Sequence, residues 1–304
     1  MKKRIVSILL FVSSIALAQQ EAQYTQYMYN TANVNPGYAG SRGCLSALVM
    51  HRSQWVGLDG APKTNVLAVS SPLDSEQRKG LGVSIINDAL GPVNRNAISV
   101  DFSYAIPTTE NSKLAFGIKG TANLFSVDFN KLNTFNAASI TNVKNNDNRF
   151  TPNIGAGLYW YSDKTYVGVS IPFMLENKFY DNDVQYIASE RMHPHLIAGH
   201  VFKLSNEIQF KPATMIKVVK GAPLQVDLSG NFWFSEKFSL GAAYRWSAAW
   251  SAMAGFQIND SWMVGYAYDR DVTRLGNFNS GSHEIFLRYE LFKKIDKVVA
   301  PRFF

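Results

Sequence analysis

Polar and apolar residues alternate with a period of two along most of this chain. In "LQVDLSGNFWF", Leu224, Val226, Leu228, Phe232 and Phe234 fall on one face. Gln225, Asp227, Ser229, Asn231 and Trp233 fall on the other. Such alternation predicts β-strand. In "ISVDFSYAI", Ile98, Val100, Phe102, Tyr104 and Ile106 oppose Ser99, Asp101, Ser103 and Ala105. "HEIFLRYELF" sets Ile285, Leu287, Tyr289 and Leu291 against Glu284, Phe286, Arg288 and Glu290. About fourteen such runs occupy residues 45–292, most of them about 9–11 residues long, the length a tilted strand needs to cross a bilayer. No helical period of comparable length occurs.

The connections sort by parity. The even-numbered ones are mostly short ("DSEQRK", "PTTENS", "SDK", "LSN", "SEK", "IND"). The long ones, Ser126 to Phe150, Leu175 to His193 and Asp271 to Gly281, are odd-numbered. Short turns on one side and long loops on the other are the habit of an outer-membrane barrel with both termini in the periplasm.

A membrane barrel turns its apolar face outward and its polar face into the lumen, the reverse of a soluble one. Three features favour that arrangement. Aromatic residues gather near strand ends, among them Trp160, Phe173, Phe232, Phe234, Trp246, Trp250, Trp262, Tyr266, Tyr268 and Tyr289, as interfacial girdles do. The polar faces are rich in small residues, which suit a crowded interior. A barrel of about fourteen strands is also too wide for apolar side chains alone to fill. The expected fold is all-β: a transmembrane antiparallel outer-membrane β-barrel.

The chain's ends refine this reading. "MKKRIVSILLFVSSIALA" has a basic start, a short apolar core and an Ala-Leu-Ala cleavage site, so residues 1–18 read as an export signal. Residues 19–44 then form a periplasmic lead-in, and residues 293–304 a periplasmic tail. The formal net charge of +7 falls once Lys2, Lys3 and Arg4 leave, and the remaining basic residues are scattered. Nucleic acid is therefore not an expected partner. Aromatic residues make up 13% of the chain and charged ones only 17%, below the roughly 25% of ordinary soluble proteins. Cys44 is the only cysteine, which excludes an intrachain disulfide framework; a buried side chain is expected there.

Several stretches go beyond generic barrel pattern: "QYTQYMYNTANVNPGYAGSRG", "HRSQWVGLDGAPKTNVLAVSSPL", "GLGVSIINDALGPVNRNAISVDFSYAI", "GYAYDRDVTRLGNFNSGSHEIFLRY" and the terminal "PRFF". In this order and at these separations they resemble the PorP/SprF family of outer-membrane proteins, found with type IX secretion and gliding motility in Bacteroidetes-type bacteria. The resemblance implies a non-enzymatic barrel. It also implies partners: a secreted adhesin or its C-terminal domain, and periplasmic peptidoglycan-binding or secretion-machine components, beside outer-membrane lipid.

The family-motif positions give the structural candidates. Asn35, Pro36 and Gly40 lie in "NPGYAG", a Pro/Gly-dense approach to the first strand. It reads either as a plug or docking segment, or as a lead-in sealing the barrel floor; the second is the expectation. Arg52 and Gln54 share a face, with Trp55 at the strand end. An inward Arg52 needs a partner, which Asp88, Asp101 or Glu284 can supply. Pro62 and Gly91 mark turns. Tyr268 and Asp269 begin "YDRD", whose carboxylates are expected to pair with Arg270 or Arg274. His283 and Glu284 form "SHEI", which lacks the second His of a zinc-binding H-E-x-x-H. His193 and His195 have no third ligand on their face. No catalytic constellation, metal site or cofactor site is expected. Candidate partner-binding aromatics in the long loops are Phe129, Phe135, Phe150, Phe179, Tyr180 and Tyr186.

Two functions fit this pattern. One is a secretion accessory that helps export or anchor a cell-surface adhesin. The other is a passive porin or hydrophobic-substrate channel. They differ in whether the lumen is open.

Overall fold

The structure, a computed structural model, describes residues 22–128, 146–181, 184–189, 191–219 and 222–291. The strands are β1 (Leu45–Ser53), β2 (Lys63–Pro72), β3 (Lys79–Leu90), β4 (Val93–Thr109), β5 (Ser112–Val127), β6 (Asn146–Ser162) and β7 (Thr165–Ile171). A small hairpin follows, β8 (Lys178–Asp181) and β9 (Val184–Ser189). Then come β10 (His195–His200), β11 (Phe202–Lys203), β12 (Ile208–Lys217), β13 (Gln225–Phe234), β14 (Phe238–Arg245), β15 (Ala249–Gln257), β16 (Trp262–Asp271) and β17 (Ser282–Leu291).

Every neighbouring pair is antiparallel, and the sheet closes where β1 pairs β17 from Leu45↔Leu291 to Ser53↔His283. β10 and β11 are halves of one strand, interrupted at Val201, and both pair with β12. The result is a closed antiparallel barrel of 14 strands. Strands β4, β5 and β6 run 17, 16 and 17 residues, well beyond the 9 or 10 of β1, β2 and β13. The wall is therefore taller there than the sequence pattern indicates.

Connections 73–78, 110–111, 163–164, 204–207, 235–237 and 258–261 lie at one rim, called here the short-turn rim. At the other, the long-loop rim, the strands end at connections 54–62, 128–145, 172–194, 218–224 and 272–281, beside tight turns at 91–92 and 246–248. The parity expected from sequence thus holds, with those two tight turns as exceptions.

The alternation resolves as a membrane barrel requires. Leu228 on β13 is 47% exposed on the outer surface, while Asp227, Ser229 and Asn231 are buried inside. On β4 and β5, Ile98, Val100, Phe102, Phe116 and Ile118 face outward, and Ser99, Asp101, Lys119, Thr121 and Asn123 face inward. Outer aromatics meet across strands: Phe238 on Phe256, Trp262 on Tyr289, and Tyr244 between Trp246 and Trp250. Phe173 departs from the girdle expectation. It lies beneath the Arg95 guanidinium, 4.8 Å from the ring centroid, on the lumen side.

An outward mid-strand position tolerates charge poorly because hydrocarbon cannot solvate it. Leu228→Arg is expected to destabilise the barrel by about 2–4 kcal/mol. Urea unfolding in lipid vesicles measures this, and an unchanged midpoint would contradict lipid contact on that face.

Candidate functional site

The lumen is filled. Residues Gln23–Thr31, Asn33–Gly37 and Ala39–Cys44 are buried, and they lie inside the barrel, not beneath it. This corrects the expectation that the segment is a periplasmic lead-in sealing the floor. Ala22 shares a cavity with Asp88, Arg95, His195, Lys217 and Gln225, all at strand ends on the long-loop rim. The chain then descends past the wall and joins β1 at Leu45 on the short-turn rim. The physical reason is the lumen's width. The polar wall side chains need partners, and the plug's backbone and amide groups provide them.

The strongest contact is a clasp on β1, β16 and β17. Arg52 donates to Asp269 at 2.6 Å and to Glu284 at 3.1 Å. It also donates to the Thr25 hydroxyl of the plug at 2.9 Å, and that hydroxyl in turn donates to Asp269. Glu284 accepts from the backbone N–H groups of Thr25 at 2.9 Å and Gln26 at 2.8 Å. One cation thus faces two carboxylates, and two plug amides and a hydroxyl offset the excess negative charge. Of the partners expected for Arg52, Glu284 is the one found. Asp101 instead pairs with Lys119 at 3.0 Å, and Asp88 accepts from Thr64 at 2.6 Å. Asp269 pairs with Arg52 and not with Arg270 or Arg274, because its strand parity points it inward while Arg270 points out.

Similar contacts continue around the wall. Arg245 bonds Asp227 at 2.7 Å and reaches the plug at Gln23 (3.0 Å) and the Tyr24 carbonyl (3.4 Å). Arg42 of the plug pairs with Glu290. Ser170 donates to the Val34 carbonyl and Ser103 to the Ala39 carbonyl, each at 2.7 Å.

Lower in the lumen, "NPGYAG" is held by shape. Asn35 is 0% exposed. Its amide donates to the Leu158 carbonyl at 2.9 Å, and its oxygen accepts from Gly37 N–H at 2.9 Å. It occupies a slot opened by Gly157, where an added Cβ would lie 2.2 Å from the Asn35 oxygen. At Gly117 a Cβ would fall 2.1 Å from the Gly37 nitrogen, and at Gly80 it would fall 2.0 Å from the Ala39 carbonyl. Wall glycines thus trace the path of the plug. "GLG" at Gly80–Gly82 is part of that track, a role its sequence setting did not reveal.

Between plug and wall lies an aromatic core that the girdle reading also missed. Tyr159 packs against Tyr38, Tyr161 and Tyr166 at ring separations of 5.5, 5.3 and 5.9 Å. Tyr29 sits on Phe286 at 4.3 Å.

The remaining candidates are dispersed. Gln54 is buried, and Trp55 lies beyond the end of β1 at φ 49°, its indole N–H donating to Asp271 at 3.4 Å. Pro62 accepts from the Gln54 N–H at 2.9 Å, and Gly91 donates to the Gly60 carbonyl at 2.8 Å, tying two long-loop-rim connections together. Tyr268 and His283 point outward and meet edge to face at 5.3 Å. Pro36 and Gly40 belong to the plug. Phe150 is exposed on the outer wall. Phe179, Tyr180 and Tyr186 lie on the β8–β9 hairpin, of which only strand positions are described. Phe129, Phe135 and the "PRFF" tail lie outside the described residues. Cys44 is buried, as expected.

The cavity beside Ala22 measures about 60 Å³. Ligand pockets usually span about 300–1,000 Å³. Among the described residues, the arrangement offers a plugged wall that carries loops.

Solved structures share the architecture at low sequence identity. A deletion mutant of TodX, a monoaromatic hydrocarbon channel, matches with a TM-score of 0.50 and 9% identity, covering 86% of this chain and 94% of that one. CymD, also a monoaromatic hydrocarbon channel, gives 0.48 and 11%, covering 89% and 94%. At such identities the likeness concerns the fold alone. No curated protein matches the sequence. The family described as type IX secretion system membrane protein PorP/SprF matches residues 16–289. The chain belongs to the PorP/SprF family of type IX secretion membrane proteins.

Proposed function

We propose that this protein is a non-enzymatic, plugged scaffold of the outer membrane that holds a secreted cell-surface adhesin for the type IX secretion and gliding machinery. In this reading the long-loop rim faces the cell exterior and presents the client-binding loops. The short-turn rim faces the periplasmic components of the machine. The observation that carries the proposal is the plug: Ala22–Cys44 occupies the lumen and is bonded to the wall from β1 to β17. A passive porin needs an open lumen, and a plug clasped by a buried ionic cluster works against one. An anchor gains from the same feature, because a filled barrel is a stiff support for loops that bear load.

Deleting the gene is expected to abolish surface display of one adhesin while uptake of small solutes stays normal. Surface immunolabelling and a solute-uptake assay read the two arms. Normal display of every adhesin in the deletion strain would remove the proposal, and impaired uptake with intact display would favour the channel.

A further inference from the structure

The outer surface carries a polar patch where an aromatic girdle would be usual. On β1 to β4, near the long-loop rim, His51, Asn65, Asn87 and Asn96 stand in one cross-strand row, each register partner to the next. The next row outward holds His283, Ser53, Lys63, Ala89 and Asn94, polar except at Ala89. All these side chains have the outward parity of their strands. Most of the polar ones are linked to one another. Asn65 accepts from His51 Nδ1 at 2.7 Å and donates to Asn87 at 3.2 Å. Asn87 donates to Asn94 at 3.0 Å and Asn96 at 2.8 Å. His51 Nε2 is 2.9 Å from the Ser53 hydroxyl, and Tyr266 is bonded to His283 at 2.6 Å. At strand spacings of about 4.8 Å the patch spans roughly 25 Å from β16 to β4. Across the barrel, on β14, β15 and the turn between them, Tyr244, Trp246 and Trp250 stand outward near this rim.

Directly below each polar residue, two positions along the same strand, sits an exposed aliphatic one: Val49 under His51, Leu67 under Asn65, Ile85 under Asn87 and Ile98 under Asn96. A molecule that covers both rows must be polar above and apolar below. That is the chemistry of a membrane amphiphile, and a protein surface covering the same area would have to match the sharp boundary on all four strands. The amides and imidazoles are hydrogen-bonding groups, suited to hydroxyls. The exposed cations Lys63 and Arg270 flank the patch and suit an acidic substituent.

We infer that this patch binds the saccharide headgroup of an outer-leaflet glycolipid, whose acyl chains lie on the aliphatic row below. The inference rests on the orientation proposed above and on no particular client.

The test is native mass spectrometry of the protein purified from its own outer membrane in mild detergent, beside Asn65→Leu/Asn87→Leu. The wild type is expected to carry a glycolipid adduct and the variant to lose at least tenfold of its occupancy. Heat-modifiable gel mobility is expected to stay normal in both. If the double variant does not fold, Lys63→Gln, at an exposed strand end, is expected to lose about threefold. A wild type without adduct, an ordinary phospholipid in its place, unchanged occupancy in the variants, or a bound protein lost in place of glycolipid would each overturn the inference. The readout is lipid mass, so a failure of adhesin display leaves this result standing and the reverse also holds.

Discussion

Replacing Arg52 with Met is expected to destabilise the barrel by about 3–5 kcal/mol, the cost of leaving buried carboxylates without their counter-charge. Arg52, Asp269 and Glu284 are all nearly inaccessible, so water cannot take the place of the lost guanidinium. The two carboxylates would face each other without the guanidinium that lies between them. Part of the loss should appear in the plug itself, because Thr25 bonds all three wall residues. Urea titration of the folded band on gels measures the first effect, and protease access to the segment around Thr25 measures the second. Adding Asp269→Asn and Glu284→Gln to Arg52→Met removes the uncompensated charges and should recover part of the stability. If the single variant matches wild type in both assays, the clasp is not what holds the plug.

The barrel was legible in the sequence because each wall strand has two different solvents, lipid outside and a polar interior. That difference writes a period of two into "ISVDFSYAI" and "HEIFLRYELF". Arg52 was also visible as an inward charge needing a partner, with Glu284 among those that could supply it, while Asp269 was expected to pair with Arg270 or Arg274. The mutual pairing of all three was not visible, since it depends on β1, β16 and β17 meeting across the closure seam, more than two hundred residues apart in the chain. The plug was the least legible element. Its apolar residues, Tyr24, Tyr27, Met28, Tyr29 and Val34, pack against the wall but do not alternate as a strand's would, so "QYTQYMYNTANVNPGYAG" predicts no regular element. The inward apolar residues Leu48, Met50, Met263 and Phe286 were a faint signal of it, since a water-filled lumen would disfavour them. The wall glycines were another. Gly80, Gly117 and Gly157 sit at inward positions where a small side chain would collide with plug atoms, but in sequence they look like weak strand residues.

Those glycines give the sharpest test of the filled lumen. Gly117 and Gly120 are three residues apart on β5 and therefore face opposite sides of the wall. A Cβ at Gly117 would lie 2.1 Å from the Gly37 nitrogen and 2.3 Å from the Pro36 carbonyl carbon. Both are backbone atoms of a tight Pro-Gly turn and cannot swing aside as a side chain end would. At Gly120 an added Cβ meets nothing within 4 Å. Gly117→Val should therefore expel the "NPGYAG" turn from its slot, whereas Gly120→Val adds one more aliphatic group to the lipid-facing wall and should leave the protein unchanged. Overpacking of this kind usually costs about 1–3 kcal/mol where the surroundings can yield, and more where they are backbone. In planar bilayers, Gly117→Val is expected to show open-channel events that wild type and Gly120→Val lack. Where the displaced plug prevents assembly altogether, the folded gel band should be lost for Gly117→Val alone. Equal behaviour of the two variants would mean that the lumen at this level is not occupied by the plug, and the case for a filled scaffold over an open pore would lose its main support.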